Sequence, residues 1–375
     1  MLRSAEMRSN NIDAIRLILS LLVVFSHSYA LATGTYNTEP LYWFSQRGIA
    51  LGELAVDWFF VLSGYLITQS WERSRDVWSF LRKRVCRIYP GYLVAVATCF
   101  WVVIPMASFE GFRVYSWHSF ITNVWRVFLL RDLSAPEAFT SNPYPKMVNG
   151  SLWTIPFEFY CYLGVVLLGT TTLIRRRWFI AGLFLASLAI GFGFFFFELN
   201  TQGRIFGVIF GSPRSWARLL PFFLSGAVAY LFRDRFRWDR RLAFLSLLGV
   251  ILGFFVPQAM TITLPTLGTY LLLYLAFTTD WEWHDAARYG DFSYGIYLFS
   301  YPIQQLFMLR LGRGIHPFHL FSLTLAPSIL AGMLSWYLVE RHFLKRSNDQ
   351  STIKRVLAYS WRNRLARKSE PSALS

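Results

Sequence analysis

Ten long apolar runs, separated by short polar or basic segments, limit the fold of this chain more than any other feature. A helix crossing a bilayer needs about 20 mostly apolar residues. Runs of that kind cover Ile12–Ala32, Leu54–Trp71, Ile88–Ala107, Ser151–Ile174 and Trp178–Phe197. They continue with Ser215–Phe232, Leu242–Val256, Met260–Thr278, Phe292–Leu311 and Leu320–Phe343, where only the turn Val256-Pro257-Gln258 parts the seventh from the eighth. Such segments satisfy their backbone groups internally only as helices, so the expected fold is an all-α integral membrane protein, one bundle of about ten transmembrane helices. Composition agrees: 54% of the 375 residues are hydrophobic, 15% are charged and the mean hydropathy is +0.37. A soluble domain carries about 25% charged residues.

The net charge of +16 does not indicate nucleic acid, because the basic residues lie between apolar runs and form no groove-reading motif. Arg3 and Arg8 precede the first run. Arg73, Arg75, Arg82, Lys83, Arg84 and Arg87 follow the second, and Arg175, Arg176 and Arg177 the fourth. Arg233, Arg235, Arg237, Arg240 and Arg241 follow the sixth, and a further set from Lys345 to Lys368 follows the tenth. Every cluster falls after an even number of crossings, which puts both termini in the cytoplasm.

Residues 1–345 are therefore expected to form the membrane domain and 346–375 a basic cytoplasmic tail. Between the third and fourth runs, Trp117–Leu130 is apolar but too short to span, which suits an interfacial or re-entrant piece. The first run also imitates a secretory signal ending at Ala30-Leu31-Ala32, but a disposable segment has no use for Arg16 and His27. Cys86, Cys99 and Cys161 have no metal-ligand spacing, and no metal is expected.

Ionisable residues within spans are costly and mark functional sites. Arg16 and His27 are eleven residues apart in the first run. That is three turns plus roughly 20°, so they share one helix face about 16 Å apart. A neutral imidazole is suited to take a proton from a hydroxyl near neutral pH. Asp57 opens the second run and Glu158 lies inside the fourth; either carboxylate is a candidate to orient His27 or bind an acceptor, and charge at a helix start accounts equally well for Asp57. Ser63-Gly64 permits close helix approach. The cluster Arg82-Lys83-Arg84-Val85-Cys86-Arg87 before Ile88-Tyr89-Pro90 suits either topology or phosphate, for which the guanidinium fork is well shaped.

Five segments in order resemble the acyltransferase-3 family of membrane acyltransferases. They are Arg16 with His27 ten intervening residues later, Phe59 to Ile67, Arg84 with Arg87-Ile88-Tyr89-Pro90, Ser151 to Tyr160, and Phe292 to Leu298 followed by Tyr301-Pro302. Thr154 stands where the family usually has Ser, and Tyr301 where it usually has His. The resemblance runs from about Asn11 to Arg341 and implies a ten-helix bundle in the plasma (bacterial inner) membrane. It implies transfer of an acyl group, acetyl above all, from cytoplasmic acyl-CoA to a hydroxyl of a cell-surface glycan or glycolipid. Acyl-CoA is then a co-substrate, with no bound cofactor.

On that reading His27, Arg16 and Glu158 are catalytic, and Lys83, Arg84, Arg87 and Tyr89 hold acyl-CoA. Asp57, Ser63, Gly64, Trp153 and Tyr297 support the site or the acceptor. The chain ends soon after the tenth run, as expected of a stand-alone membrane form without a fused hydrolase-like domain. Direct transfer with His27 as general base and a relay through acyl-histidine both stay open. A transporter of a glycan or lipid intermediate is the alternative, though no repeat or paired broken helices are visible.

Overall fold

The computed structural model describes residues 11–74, 76–108, 111, 117–131, 133, 135, 137–197, 210–278 and 288–345. The described residues form helices and loops, with no strand among them. The helices are α1 Ile12–Thr33, the short α2 Pro40–Phe44, α3 Leu51–Arg73, α4 Val77–Ala107 and α5 Trp117–Phe128. There follow α6 Leu152–Thr170, α7 Arg177–Phe196, α8 Pro213–Leu231, α9 Arg240–Phe254, α10 Pro257–Phe277, α11 Ser293–Leu311 and α12 Pro317–Lys345.

Local chemistry sets the helix starts. Proline stands in the first turn of α8, α10 and α12, where its missing N–H costs nothing. Asp76 caps α4 by accepting from the Ser79 N–H at 2.7 Å, and Asp239 caps α9 through the N–H groups of Arg241 and Leu242. At the end of α1, Gly34 adopts φ +80°, the left-handed stop that favours glycine.

Among the described residues, seven helices are long and apolar enough to cross a membrane: α1, α3, α4, α6, α7, α10 and α12. The other three of the ten expected runs also form helices but fall short of that standard. α9 has only 15 residues. α8 carries Arg214 and Arg218, and α11 carries Gln304, Gln305 and Arg310 among its tyrosines and serines. The least buried of the seven is α7, with Trp178, Leu185, Ile190 and Phe196 uncovered. A water-facing surface would not favour such a row; a lipid-facing one does. The expected short apolar piece at Trp117–Leu130 is α5, with Ile121, Trp125 and Phe128 exposed. The basic tail, 346–375, and Arg3 and Arg8 lie outside the described residues.

The bundle is held by close helix crossings at glycines. A Cβ on Gly64 of α3 would stand 1.9 Å from the Phe223 carbonyl oxygen of α8. Reciprocally, one on Gly226 would stand 2.0 Å from the Val61 carbonyl oxygen. Small residues let helix backbones touch where hydrophobic driving force is weak. Gly295 and Gly332 make a similar crossing of α11 with α12.

The segment from Ala138 to Leu152 is mostly non-helical, yet Val148, Asn149, Ser151 and Leu152 are buried. Such backbone is tolerated inside a membrane bundle only when protein satisfies it. Gln305 of α11 does so, donating to the carbonyls of Tyr144 and Met147 at 2.8 and 2.9 Å. Asn149 in turn donates to the Leu298 carbonyl at 2.8 Å.

Candidate active site

A cavity of about 330 Å³ runs between α1, α3, α4, α6, α11 and α12. Arg16, Lys83, Arg84 and Arg87 line one part of it, and Val56, Thr154 and Tyr297 another. Arg16 of α1 and Arg87 of α4 both donate to the same oxygen of Asp291, Oδ2, at 2.5 and 2.6 Å. The other oxygen accepts from the Ser293 hydroxyl at 2.5 Å, which fixes the carboxylate at the start of α11. Arg87 also lies 3.7 Å from Glu340, in a π-helical turn of α12. Burial alone would raise the pKa of Asp291, but the two guanidiniums and the Ser293 hydrogen bonds outweigh it and hold the carboxyl below the usual range. Four helices thus meet in one ion cluster.

Deeper along the cavity, Glu158 of α6 accepts from the Ser63 hydroxyl at 3.3 Å and from the Tyr162 hydroxyl one turn on. The Tyr162 ring faces the Arg84 guanidinium at 5.9 Å. Arg84 reaches Ser70 at 3.4 Å, leaves Nε buried and unpartnered, and has no carboxylate within ion-pair distance among the described residues. Of the basic residues expected to hold a polyanion, Arg84 is therefore better poised than Arg87, whose charge is already matched. Tyr89 is not in this wall. It is rotated one residue past Ile88, which does line the cavity, and packs its ring on Phe159 at 5.7 Å.

The cavity wall also holds a hydrogen-bonded pair, the Thr154 and Tyr297 hydroxyls at 2.6 Å, with Tyr297 donating to the Ser151 carbonyl at 2.5 Å. One turn further along α11, Tyr301 meets His27 edge-to-face at 5.0 Å between ring centres. Arg16 and His27 do share a face of α1, and it is the face against α11: Arg16 meets Asp291 at its start and His27 meets Tyr301 ten residues on. The two helices accordingly run in the same direction.

Neither of the candidate carboxylates, Asp57 and Glu158, is bonded to His27. Its Nδ1 is buried without a partner, Glu158 is committed to Ser63 and Tyr162, and Asp57 to Arg218. The physical reason is depth and rotation. Asp57 points away from the first cavity, which its neighbour Val56 lines.

Asp57 belongs to a second cavity of about 420 Å³, with Glu53, Trp153 and Arg218 in its wall. Arg218 of α8 binds Asp57 bidentately at 3.2 Å and Glu53 at 2.7 Å. The ion partners Asp291, Glu340, Glu53 and Arg218, and the contact residue Tyr301, were not reached by reading spacings. Arg218 and Glu340, ionisable residues inside apolar runs, carried a usable signal. Among the described residues no three His, Cys, Asp or Glu side chains are grouped to hold a metal ion.

Comparison with known proteins completes the picture. The model of the acyltransferase-3 family, described as an acyltransferase domain, matches residues 9–339. An O-acetyl transferase of Shigella phage Sf6 is 28% identical over 363 residues, covering 92% of this chain and 99% of that protein. Nodulation protein 10 of Rhizobium leguminosarum bv. viciae is 28% identical over 193 residues, 48% of each chain. A Staphylococcus aureus MRSA252 protein provisionally named an O-acetyltransferase is 24% identical over 358 residues, 86% of this chain and 56% of that protein. No solved structure matches significantly. With a family match over nearly its whole length, seven membrane-length apolar helices and a polar cavity among them, the chain belongs to the acyltransferase-3 family and is a multi-pass membrane acyltransferase.

Proposed function

We propose that the chain transfers an acetyl group from cytoplasmic acetyl-CoA to a hydroxyl of a cell-surface glycan or glycolipid precursor, in a bacterial inner membrane. It crosses that membrane ten times, with both termini in the cytoplasm. The observation that carries the reading is the first cavity: cations line one part of it, and the Thr154–Tyr297 pair, one turn from the His27–Tyr301 contact, lines another. The names of the phage and staphylococcal relatives favour O-acetylation.

In this scheme Arg84 and Lys83 hold the phosphates, and the pantetheine arm extends along the face shared by Arg16 and His27, about 16 Å. Arg16 and Arg87, tied by Asp291, shape the entrance. His27 takes the proton of the acceptor hydroxyl as its oxygen bonds to the thioester carbonyl carbon. The carbon–sulfur bond then breaks, and the departing thiolate recovers the proton from His27. The products are the O-acetyl ester and free CoA. Glu158, bonded to Ser63 and Tyr162, keeps the channel wall in shape.

The test is to incubate membranes holding wild type or His27→Ala with acetyl-labelled acetyl-CoA and to count label in glycan and glycolipid fractions. Label with wild type alone is expected. Equal label with the alanine variant refutes the role of His27.

A further inference from the structure

We propose that the second cavity is the acceptor subsite, and that it takes an uncharged, hydroxyl-rich sugar ring. The proposal rests on the transfer reading above and adds the place and chemical class of the acceptor. Its first support is position. Val56 and Thr154 line the first cavity, while their chain neighbours Asp57 and Trp153 line the second. The two cavities stand back to back across one layer of α3 and the first turn of α6. Only that layer, with Val56 and Thr154 on one side and Asp57 and Trp153 on the other, separates a thioester held in one from a hydroxyl held in the other.

Charge supplies the second support. The Asp57 side chain is 2% exposed and serves to hold Arg218, whereas Glu53 and Arg218 are 42% and 28% exposed. Arg218 spends Nε and Nη2 on Asp57 and Nη1 on Glu53. Even with Arg214 counted, the wall of Glu53, Asp57, Arg214 and Arg218 has no net positive charge to draw in a phosphate or carboxylate, which would have to displace those carboxylates from Arg218. A neutral hydroxyl does not: it donates to the remaining lone pairs of Glu53, and its oxygen accepts from the outer guanidinium protons.

The third support is Trp153, an exposed aromatic ring in a wall that also holds Phe195, Phe222 and Met260. An aromatic ring offers a flat apolar surface to the C–H face of a sugar while ionic groups read its hydroxyls. Apolar walls with a few fixed polar groups are the usual make-up of a small-ligand site.

The experiment is thermal unfolding of the full chain in detergent. One arm adds acetyl-CoA, a second adds the saccharide freed by mild acid from the glycolipid of the source membranes, and a third adds that glycolipid intact. The saccharide is expected to raise the wild-type midpoint. Glu53→Gln and Trp153→Ala should each weaken its apparent affinity about tenfold or more, while Trp153→Phe keeps most of it. An unchanged acetyl-CoA shift in all three variants shows that they are folded. Variants that bind the saccharide as wild type does overturn the proposal. So does a wild-type midpoint moved only by the intact glycolipid, which would make the cavity a lipid-tail site, or one moved by neither. A saccharide shift that depends on Glu53, with no response to acetyl-CoA in wild type, supports the subsite and overturns the donor reading instead.

Discussion

Replacing Asp291 with asparagine should be among the most damaging conservative changes in the protein. The side chain keeps its size and its bonds to Ser293, but the one carboxylate in ion-pair contact with Arg16 among the described residues is neutralised and Arg87 is left with Glu340 at 3.7 Å. Two opposite charges about 4 Å apart attract by about 4 kcal/mol at an effective dielectric of about 20, so the gross attraction lost is about 8 kcal/mol. Desolvation offsets much of this in the wild type, and breaking one partner of a buried pair costs about 3–5 kcal/mol net. The three side chains are 15–20% exposed, which favours the lower end, about 3 kcal/mol. Arg16→Met leaves Asp291 paired with Arg87, and should cost about half as much. Unfolding in mixed detergent micelles, followed by circular dichroism, measures both. An Asp291→Asn protein within about 0.5 kcal/mol of wild type would refute the argument that this carboxylate ties the entrance arginines.

Further expectations concern the same surfaces. The folded pKa of Asp291 lies below its unfolded value, so its stabilisation is complete above that value, about pH 4, and is lost as pH falls through the folded one. Wild type should lose stability below about pH 4, and Asp291→Asn should lack that part of the decline; identical acid curves would count against it. Gly64→Ala drives a methyl to 1.9 Å from a backbone oxygen that no rotamer can move, and should cost about 3 kcal/mol or more, measured by the same unfolding assay. Glu39, fully buried, accepts the N–H groups of Tyr42 and Leu51, so Glu39→Ala should cost about 2 kcal/mol and loosen the start of α3 to hydrogen exchange. Arg84→Ala should raise the KM for acetyl-CoA about tenfold or more, with Arg87→Lys showing the larger loss in stability.

The apolar runs made the helices legible, because length and hydropathy are local properties. Even α9 and α10, parted by the tight break at Val256-Pro257, were visible as two runs, although the second run begins at Met260 and the helix at Pro257, whose missing N–H suits a first turn. Partners across the bundle were not. Asp291 lies 275 residues from Arg16, and nothing in the spacing of either names the other. Gly64 was recognisable as a place for close approach, but its counterpart Gly226 was found only by the fold. For Asp57, helical depth was readable from residue number, whereas the rotation that turns it towards Arg218 and Val56 towards the first cavity depends on how α3 packs against α8.

The distribution of charge separates what holds the bundle from what stands at its centre. One ion network ties α1, α4, α11 and α12 through Asp291 and Glu340, and another ties α3 to α8 through Arg218. α1 packs against α3 with Gly52 beside Ser26, so the start of α1 and the start of α3 lie at opposite ends, and so do the two networks. His27 belongs to neither. Its described contact is the Tyr301 ring, and its Nδ1 has no hydrogen-bond partner among the described residues. A residue whose loss breaks no ion pair and no hydrogen bond leaves only a cavity to be accommodated, a cost well below that of unpairing Asp291. Loss of transfer in His27→Ala with the unfolding midpoint nearly kept would therefore report on chemistry, whereas loss in Asp291→Asn would report on architecture. If the two variants lost stability equally, the division between a charged frame and an uncharged centre would not hold.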